Sequence, residues 1–369
     1  MTIDKIKGVL FGQAIGDALG LGTESMSKKE VELYYPNGLS CYDEIIQDYH
    51  RSRWNKGDWT DDTDMMVCIA EAIIKDKFIN LTAIAQNFKD WFNGEPMGIG
   101  RHTFKVLAFA DYVQYPQKVA NVIWELSRGT SAANGGLMRT SVVGLLKENV
   151  EQYASDICSL THYDPRCIGS CVIVSLLINS LVYQNRELSY EEVVSIARKY
   201  DSRIEEYVEL AKKDDIALLE LDECNSMGYT LKTLGAALWI LWHSKTFEDG
   251  LLAVVNEGGD ADTNAAVACS VLGAKYGYSS IPAKYINGLV EKTKLFELAN
   301  NFIDVINKLQ NQTIKPNKII LMNTGEKPWM ENAEEKYPLC EIHFLHALSD
   351  TYEAQCWKDL LLYPTLPDH

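Results

Sequence analysis

The sequence lacks excess positive charge, a long apolar run and the cysteine spacing of a zinc site. It has 35 Lys and Arg residues against 51 Asp and Glu residues, giving a net charge of −16. Such an acidic chain is poorly suited to a nucleic-acid backbone or an anionic membrane. No uninterrupted apolar stretch approaches the roughly 20 residues of a membrane span, and the charged N-terminus has no secretory pattern. We therefore expect neither kind of partner.

Cysteine usage gives no sign of a disulfide framework. The chain has 9 cysteines, an odd number, and none of them form a CxxC pair. Most lie within apolar helical runs, where cysteine commonly behaves as a small buried hydrophobic residue. We expect reduced thiols and a cytoplasmic protein.

The dominant period of the sequence is helical, and strand signals are sparse. Residues 318–322 are the best strand candidate. The pattern predicts an all-α fold, a compact orthogonal multi-helix bundle and not a βαβ repeat. We expect one domain over residues 1–310. Residues 311–369, which are rich in Pro, Lys, Glu and aromatics, are predicted to form a C-terminal extension or small subdomain.

Helices are predicted wherever apolar residues recur at intervals of three and four. Pro116 and Pro165 suit the first position of a helix, where the missing N–H has no cost. Three further predicted helices cover residues 138–147, 202–220 and 285–309.

Three irregular stretches interrupt the helical pattern. Residues 25–58 carry few helical signals and many Tyr, Pro, Asn and Gly residues, and 94–102 and 127–136 are two shorter stretches. A loop as long as the first is usually functional in a compact domain.

The predicted first helix carries a stripe of glycines on one face. Glycine weakens a helix by about 1 kcal/mol relative to alanine, so a repeated glycine needs a packing reason. The spacing predicts close approach of another backbone in the centre of the protein. The stripe consists of Gly8, Gly12, Gly16 and Gly20.

Two clusters of acids lie about 200 residues apart, at 59–64 and 258–263, each just before a helical run. For either cluster alone, helix capping is as good an explanation as metal binding, because acids in a first turn interact favourably with the helix dipole. Capping does not explain why Asp58 and three more acids crowd together in the first cluster. Two clusters that each join carboxylates to a threonine predict an oxygen-lined site for Mg²⁺ or Mn²⁺. Gly258 and Gly259 allow a sharp turn before the second cluster.

Five motifs in this order resemble the ADP-ribosylglycohydrolase family, of the dinitrogenase reductase-activating type. The resemblance covers about residues 4 to 290, and the two acid motifs are its most specific part. The motifs are Gly16-Asp17-Ala18-Leu19-Gly20, Trp59-Thr60-Asp61-Asp62-Thr63, Asn134-Gly135-Gly136-Leu137-Met138-Arg139, Thr161-His162-x-Asp164-Pro165-Arg166 and Gly258-Gly259-Asp260-Ala261-Asp262-Thr263.

The resemblance implies an all-α fold with a dinuclear Mg²⁺ or Mn²⁺ centre. It implies hydrolysis of the glycosidic bond between ADP-ribose and a modified acceptor. It also implies which residues bind metal: Thr60, Asp61, Asp62, Asp260, Asp262 and Thr263.

The resemblance further implies a catalytic role for Glu24, together with Asp61 and Asp262. His162 matches a residue on the ribose side, although a lone histidine is more often buried or capping. The segment along the diphosphate contains Asn134, Gly135, Gly136 and Arg139. Without the resemblance, Glu24 reads as a solvated loop acid, and the Asn-Gly-Gly turn as an ordinary entry to a helix.

These roles are physically consistent. Breaking a bond at ribose C1 builds oxocarbenium-like charge, which nearby carboxylates stabilise. A pair of metal ions can hold the ribose hydroxyls and lower the pKa of a bound water. Glu24 can act as a base toward that water or assist the leaving group.

Asp17, Asp64 and the C-terminal tail have separate interpretations. Asp17 is assigned a structural role, bonding to neighbouring loops. Asp64 is an additional acid that either alters metal preference or faces solvent. The tail after Leu309 is a departure that we associate with target choice or regulation.

The predicted function is a hydrolase that reverses ADP-ribosylation, with ADP-ribose and an ADP-ribosylated protein as partners. Arginine is slightly preferred over serine as the acceptor. The alternative is a non-catalytic protein that binds ADP-ribose or blocks a transferase, such as an immunity protein. A dinuclear phosphohydrolase that cuts the diphosphate fits the acid clusters but not the order of the other motifs.

Overall fold

The computed structural model describes residues 2–311, 318–323 and 341–346. The chain divides into two compact units, Met1–Ile306 and Asn307–His369. Every element of the first unit is helical in its described residues, so the prediction of an all-α fold is confirmed.

Fifteen α-helices and two strands are described in chain order. The elements are α1 (Thr2–Gly20), α2 (Lys28–Tyr34), α3 (Asp61–Asp76), α4 (Leu81–Asn93), α5 (Arg101–Leu107), α6 (Pro116–Leu126), α7 (Val150–Ser159), α8 (Pro165–Asn179), α9 (Tyr190–Tyr200), α10 (Arg203–Ala211), α11 (Thr230–His243), α12 (Phe247–Val255), α13 (Ala261–Tyr276), α14 (Ala283–Gly288), α15 (Lys292–Asn311), β1 (Lys318–Asn323) and β2 (Glu341–His346).

The second unit contains a two-stranded parallel sheet. β1 pairs with β2 in a register that places Lys318 opposite Glu341 and Asn323 opposite His346. The predicted strand at 318–322 is therefore confirmed. Most of the predicted C-terminal extension, 311–369, lies outside the described residues.

Helices α1 and α13 form the centre of the first unit and touch backbone to backbone. A Cβ atom on any glycine of the α1 stripe would overlap a backbone carbonyl of α13. The predicted close approach of another backbone to the glycine stripe is therefore confirmed, and that backbone belongs to α13. The opposed pairs run antiparallel: Gly8 with Gly273, Gly12 with Cys269, Gly16 with Ala265 and Gly20 with Ala261.

Helix starts follow the chemistry of capping. Pro116 and Pro165 are the first residues of α6 and α8, as predicted. The carboxylate of Asp164 accepts from the N–H of Arg166 at 2.9 Å, which satisfies one of the free donors at the start of α8. Ser189 and Glu192 form a capping box at the start of α9.

The predicted α-helix at 138–147 is wrong, because the chain forms a 3₁₀ helix over Asn134–Leu145 instead. The amide of Gln13 in α1 donates to the backbone oxygen of Met138 at 2.9 Å. An α-helix would use that carbonyl internally. β-branched residues and Gly144 in the same segment further weaken an α-helix.

Two long predicted helices are interrupted. The segment 202–220 ends its α-helix at Ala211, and after a polar turn Asp215 caps a short 3₁₀ helix. The segment 285–309 divides into α14 and α15, because the chain leaves the helix after Gly288 and the N–H of Val290 donates to the oxygen of Gly57 at 3.1 Å.

Two short helices lie within or next to stretches that were predicted to be irregular. Ser27 and Glu30 form a capping box for α2, a local signal present in the sequence. Helix α5 starts after Gly100 with no side-chain cap and is only 7 residues long, so its periodicity is weak.

Among the described residues, one helical segment, Pro165–Gln184, is long and apolar enough by composition to cross a membrane. Within the protein, 72% of that window is buried. A helix buried in the core of a protein can be as apolar as a membrane span.

The cysteines of the described residues form no disulfide with one another. Five of them are buried: Cys68, Cys158, Cys167, Cys171 and Cys269.

Candidate functional site

A cavity of about 950 Å³ opens among the starts of α3, α5 and α13 and the loop before α3. All six residues predicted to bind metal line it, although they come from two segments far apart in the chain. The structure also places Glu24, Asn134, Gly135 and His162 on its wall.

Asp17 of α1 holds the first of the two acid segments in place. Its carboxylate accepts from the N–H of Thr60 at 3.0 Å and from the Thr60 hydroxyl at 2.9 Å. It also accepts from the N–H and the hydroxyl of Thr63, at 3.0 and 2.6 Å. Asp17 therefore caps α3 from a neighbouring helix, where Thr60 at the N-cap position makes no capping bond of its own.

The second acid segment is positioned by a backbone turn and a pair of hydrogen bonds. Gly258 and Gly259 both have positive φ, +74° and +70°, as the predicted sharp turn requires. The N–H of Ser25 donates to the oxygen of Gly259 at 2.6 Å, and the N–H of Gly259 donates to the oxygen of Met26 at 2.7 Å. This pairing holds the loop that carries Glu24 against the start of α13.

Two groups of three carboxylates result from this packing. Asp17, Asp62 and Asp262 each offer one oxygen within 4.8 Å of the others. Glu24, Asp260 and Asp262 do the same. Asp262 belongs to both groups, so the two groups form one continuous acidic surface.

Burial and mutual repulsion raise the pKa values of these acids. Burial raises the pKa of Asp17 to about 7, against the lowering effect of its hydrogen bonds with Thr60 and Thr63. Burial and the neighbouring carboxylates raise the pKa of Asp61 to about 7, and burial with the charge of Glu24 raises that of Asp260 to about 6. The same causes raise the pKa values of Asp62 and Asp262 well above their usual range.

The donor set fits a hard divalent cation. One oxygen of Asp62, Oδ1, is buried and has no hydrogen-bond partner among the described residues. Over the described ranges, no Lys or Arg forms an ion pair with any of the aspartates of the site. These aspartates are Asp17, Asp61, Asp62, Asp260 and Asp262. Carboxylate and threonine oxygens are the ligands that Mg²⁺ and Mn²⁺ prefer. The residues able to hold such ions are Thr60, Asp61, Asp62, Asp260, Asp262 and Thr263, with Asp17 and Glu24 beside them.

Asn134 lines the cavity but is bonded to the acidic surface. Its amide donates to Asp260 Oδ2 at 2.6 Å and is 2.9 Å from the Thr233 hydroxyl. Gly135 lies next to His162, because a Cβ at position 135 would come 3.0 Å from His162 Cε1 and from Thr103 Oγ1. Glycine at this position therefore leaves room for the imidazole at the cavity wall.

His162 is buried, and its Nε2 has no partner within the described part of the chain. Its Nδ1 is 2.8 Å from the hydroxyl of Thr161, and its ring lies 4.6 Å from that of His102. Burial and the charges of His102 and Arg139 lower the pKa of His162 well below its usual value. The lowered pKa favours the neutral imidazole, and its unpaired Nε2 belongs to a residue of the cavity wall.

Two predicted substrate residues do not reach the cavity. Gly136 faces inward, and a Cβ there would meet Cys158 and His162. Arg139 is fully buried, donates to the Thr161 hydroxyl at 2.6 Å and packs its guanidinium 4.4 Å from the centre of the Phe88 ring. In this arrangement Arg139 supports His162 through Thr161 and lies outside the cavity lining.

Two acids counted in the first cluster have other roles. Asp64 accepts from the indole N–H groups of Trp59 and Trp91, at 2.9 and 3.1 Å, so it neither faces solvent freely nor joins the acidic surface. Asp58 accepts from the backbone and side chain of Asn55 at 2.8 and 2.9 Å, which closes a loop turn.

Sequence reasoning missed two residues of this site. Asp17 was given a structural role, and its hydrogen bonds agree with that, but its carboxylate also belongs to the acidic surface. His50 was not singled out, although its Nε2 lies 2.6 Å from Glu24 Oε2. A histidine in an irregular loop carries no local signal of such a contact.

Comparison with known proteins agrees with this architecture. A family model described as ADP-ribosylglycohydrolase matches residues 1–312. An ADP-ribosylarginine hydrolase, Tri1, of Serratia proteamaculans is 29% identical over 310 residues, covering 81% of this chain and 78% of the relative. The ADP-ribosyl-[dinitrogen reductase] glycohydrolase of Rhodospirillum rubrum is 25% identical, with 79% and 92% covered.

Two further likenesses extend the comparison. The ADP-ribosylhydrolase ARH3 of Danio rerio is 24% identical over 77% of this chain and 86% of the relative. A solved ADP-ribosylglycohydrolase-related protein complex has a TM-score of 0.63 and 24% identity, covering 83% of this chain and 99% of that one. This structural likeness concerns the fold.

Proposed function

This chain belongs to the ADP-ribosylglycohydrolase family, and we propose that it removes ADP-ribose from modified arginine side chains with the help of two Mg²⁺ or Mn²⁺ ions. The observation that carries the proposal is the meeting of Thr60–Asp62 and Asp260–Thr263 in one cavity, next to Glu24. Carboxylates crowded at this density are unfavourable in a buried site unless cations offset their repulsion.

The metal ions would be held by Thr60, Asp61, Asp62, Asp260, Asp262 and Thr263. When bound, such ions supply charge that binds ribose hydroxyls and lowers the pKa of a water. His162 presents a neutral ring nitrogen to the ribose side of the ligand, and Gly135 leaves room for that contact.

The reaction replaces the bond between ribose C1 and the acceptor atom with a bond between C1 and a water oxygen. Oxocarbenium-like charge builds at C1 as the first bond breaks, and the acidic surface stabilises it. Glu24 takes a proton from the attacking water and returns it to the leaving group, so that protons balance.

Arginine is our preferred acceptor. Two relatives are named as ADP-ribosylarginine hydrolases, from Serratia proteamaculans and, at 26% identity, from Pseudomonas putida. Serine remains the competing acceptor, and a serine-linked substrate belongs in every test.

The test measures products by mass spectrometry after incubation with arginine- and serine-ADP-ribosylated peptides in Mg²⁺, Mn²⁺ or EDTA. We expect intact ADP-ribose from the arginine peptide, dependent on a metal. Asp61→Ala and Asp262→Ala should abolish release, with Asp58→Asn as the matched control because that acid lies outside the acidic surface.

Other outcomes contradict the proposal in distinct ways. Release from the serine peptide alone would overturn the arginine preference. AMP among the products would indicate cleavage of the diphosphate. Tight ADP-ribose binding without turnover in either metal would indicate a binding protein. Equal turnover by wild type and both variants would remove the metal argument.

A further inference from the structure

The loop that carries Glu24 is held by a second loop, residues 48–54, through a buried arginine. Arg51 is only 3% exposed. Its Nε donates to the backbone oxygens of Leu21 and Gly22 at 3.0 and 2.9 Å, and its Nη2 donates to the oxygen of Glu24. Three carbonyls in the turn after α1 are thereby fixed by one side chain. The backbone of Glu24 is therefore held from outside its own loop.

The side chain of Glu24 is held by the residue before Arg51. His50 Nε2 lies 2.6 Å from Glu24 Oε2, and Arg53 Nη2 lies 2.6 Å from His50 Nδ1. A guanidinium can only donate, so His50 Nδ1 is the acceptor in that contact. The ring proton of the neutral imidazole therefore lies on Nε2, and His50 donates to the carboxylate of Glu24.

Trp54 packs against both Arg53 and His50. It is buried, with the Arg53 guanidinium 4.4 Å from its ring centre and the His50 ring 5.4 Å away. Contacts of a guanidinium and an imidazole with one indole restrict the rotation of both side chains. Of the residues that the structure describes, His50 is the one whose side chain hydrogen bonds to the Glu24 carboxylate.

We propose that His50 is a positioning residue for Glu24 and that Arg53 sets the tautomer in which His50 can do so. The inference rests on the proposed function, because it assigns His50 to the same reaction. His50 orients one oxygen of Glu24, so the other oxygen faces the reacting water in a fixed direction. This arrangement matters for the chemical step, since the carboxylate must be aligned with the proton that it accepts.

The kinetic test compares His50→Ala with His50→Gln, which keeps an N–H donor at the position of Nε2. We expect His50→Ala to lower kcat by about 10- to 100-fold, the effect of losing one hydrogen bond to a charged group. KM and the Kd for ADP-ribose should stay within about twofold, because the lost interaction serves the chemical step. His50→Gln should recover kcat to within about threefold of wild type. Tyr49→Ala is the matched control, because Tyr49 is 97% exposed in the same loop.

A spectroscopic readout tests the tautomer without relying on turnover. The ¹⁵N shifts of His50, assigned by their loss in His50→Gln, should show protonation at Nε2 alone in the neutral wild-type ring. Arg53→Ala should give a mixture of tautomers. A mixed tautomer in wild type would overturn the proposal even if no substrate of the enzyme were found.

Two kinetic results would also overturn it. One is an unchanged kcat in His50→Ala. The other is an equal loss in His50→Ala and His50→Gln together with an equal fall in melting temperature, which would assign His50 a purely structural role. Absence of ADP-ribose release by wild type would instead contradict the proposed function and leave the tautomer measurement as the deciding test.

Discussion

The carboxylate of Asp64 accepts a hydrogen bond from the indole N–H of Trp91 at 3.1 Å and so ties the first turn of α3 to the last turn of α4. A second indole, that of Trp59, donates to the other oxygen at 2.9 Å. An acid that the sequence places beside the metal motif is thus a structural acceptor. Asp64 therefore stabilises the structure around the site and is not one of the carboxylates that form the acidic surface.

Asp64→Ala should lower the free energy of unfolding by about 1–3 kcal/mol, because two partly buried indole N–H groups lose their acceptor. Turnover of the folded enzyme and its preference between Mg²⁺ and Mn²⁺ should not change. Urea denaturation and initial rates in each metal provide the measurements. Asp64→Asn keeps one carbonyl acceptor and should lose less stability. A shifted metal preference in either variant would contradict this assignment.

Metal should stabilise the protein more strongly as the pH rises. The folded pKa values of Asp17 and Asp61, about 7, and of Asp260, about 6, lie above that of an unfolded Asp, about 4. Protons on these groups stabilise the metal-free fold, so its free energy of unfolding falls as the pH rises from about 4 through 7. Cations replace those protons, and at 100 times their Kd they add about 2.7 kcal/mol.

Thermal unfolding with EDTA or with metal, at about pH 5.5 and about pH 7.5, measures this effect. The gain in melting temperature from metal should be larger at the higher pH. Asp62→Asn should remove most of the gain, while Asp58→Asn should keep it, because Asp58 only closes a loop turn. A metal response that is identical in wild type and Asp62→Asn would contradict the assignment of Asp62 as a ligand.

Gly16→Ala should lower the free energy of unfolding by about 3 kcal/mol, because the new Cβ overlaps the backbone of Ala265. Metal affinity should fall as well, because α1 carries Asp17 and α13 carries Asp262. Calorimetric titration with Mn²⁺ and urea denaturation measure the two effects. Gly100→Ala is the control and should change stability by less than about 1 kcal/mol, since its φ of −63° suits alanine. Equal stability of the two variants would show that α1 and α13 can separate at little cost.

Arg139→Ala should lower the free energy of unfolding by about 3 kcal/mol, because it leaves a cavity beside Phe88 and removes the donor to Thr161. The Kd for ADP-ribose in the folded fraction should change only slightly. Chemical denaturation and equilibrium binding distinguish the two effects. A variant of wild-type stability that no longer binds ADP-ribose would restore the direct diphosphate contact that the sequence predicts.

The parts of the fold that sequence predicts well are those where one local signal dominates. The stripe of glycines in α1 predicted a backbone contact, and the apolar run of α8 predicted a core helix. The 3₁₀ helix at Asn134–Leu145 could not be predicted, because the carbonyl of Met138 accepts a hydrogen bond from Gln13 of another helix. Such competition depends on tertiary structure and leaves no trace in local periodicity.

In the candidate site, too, features with a local sequence signal could be predicted and features that depend on tertiary contacts could not. The two acid motifs could be paired in advance, because both join carboxylates to a threonine and both resemble one family. The partners of Glu24 and Asp64 could not, since a hydrogen bond between His50 and Glu24 depends on how two loops meet. The burial of Arg139 could not be predicted either, because a charged residue in a loop motif gives no local sign that it packs beneath the cavity.

The antiparallel contact of α1 with α13 also determines when the site can appear during synthesis. At about 5–20 residues per second, α1 leaves the ribosome roughly 10 to 50 s before α13 does. Throughout that interval the glycine face of α1 lacks the helix that it packs against, although α1 can already contact α3 and the 3₁₀ helix. Because Asp17 lies in α1 and Asp262 in α13, the acidic surface is complete only after α13 has been synthesised.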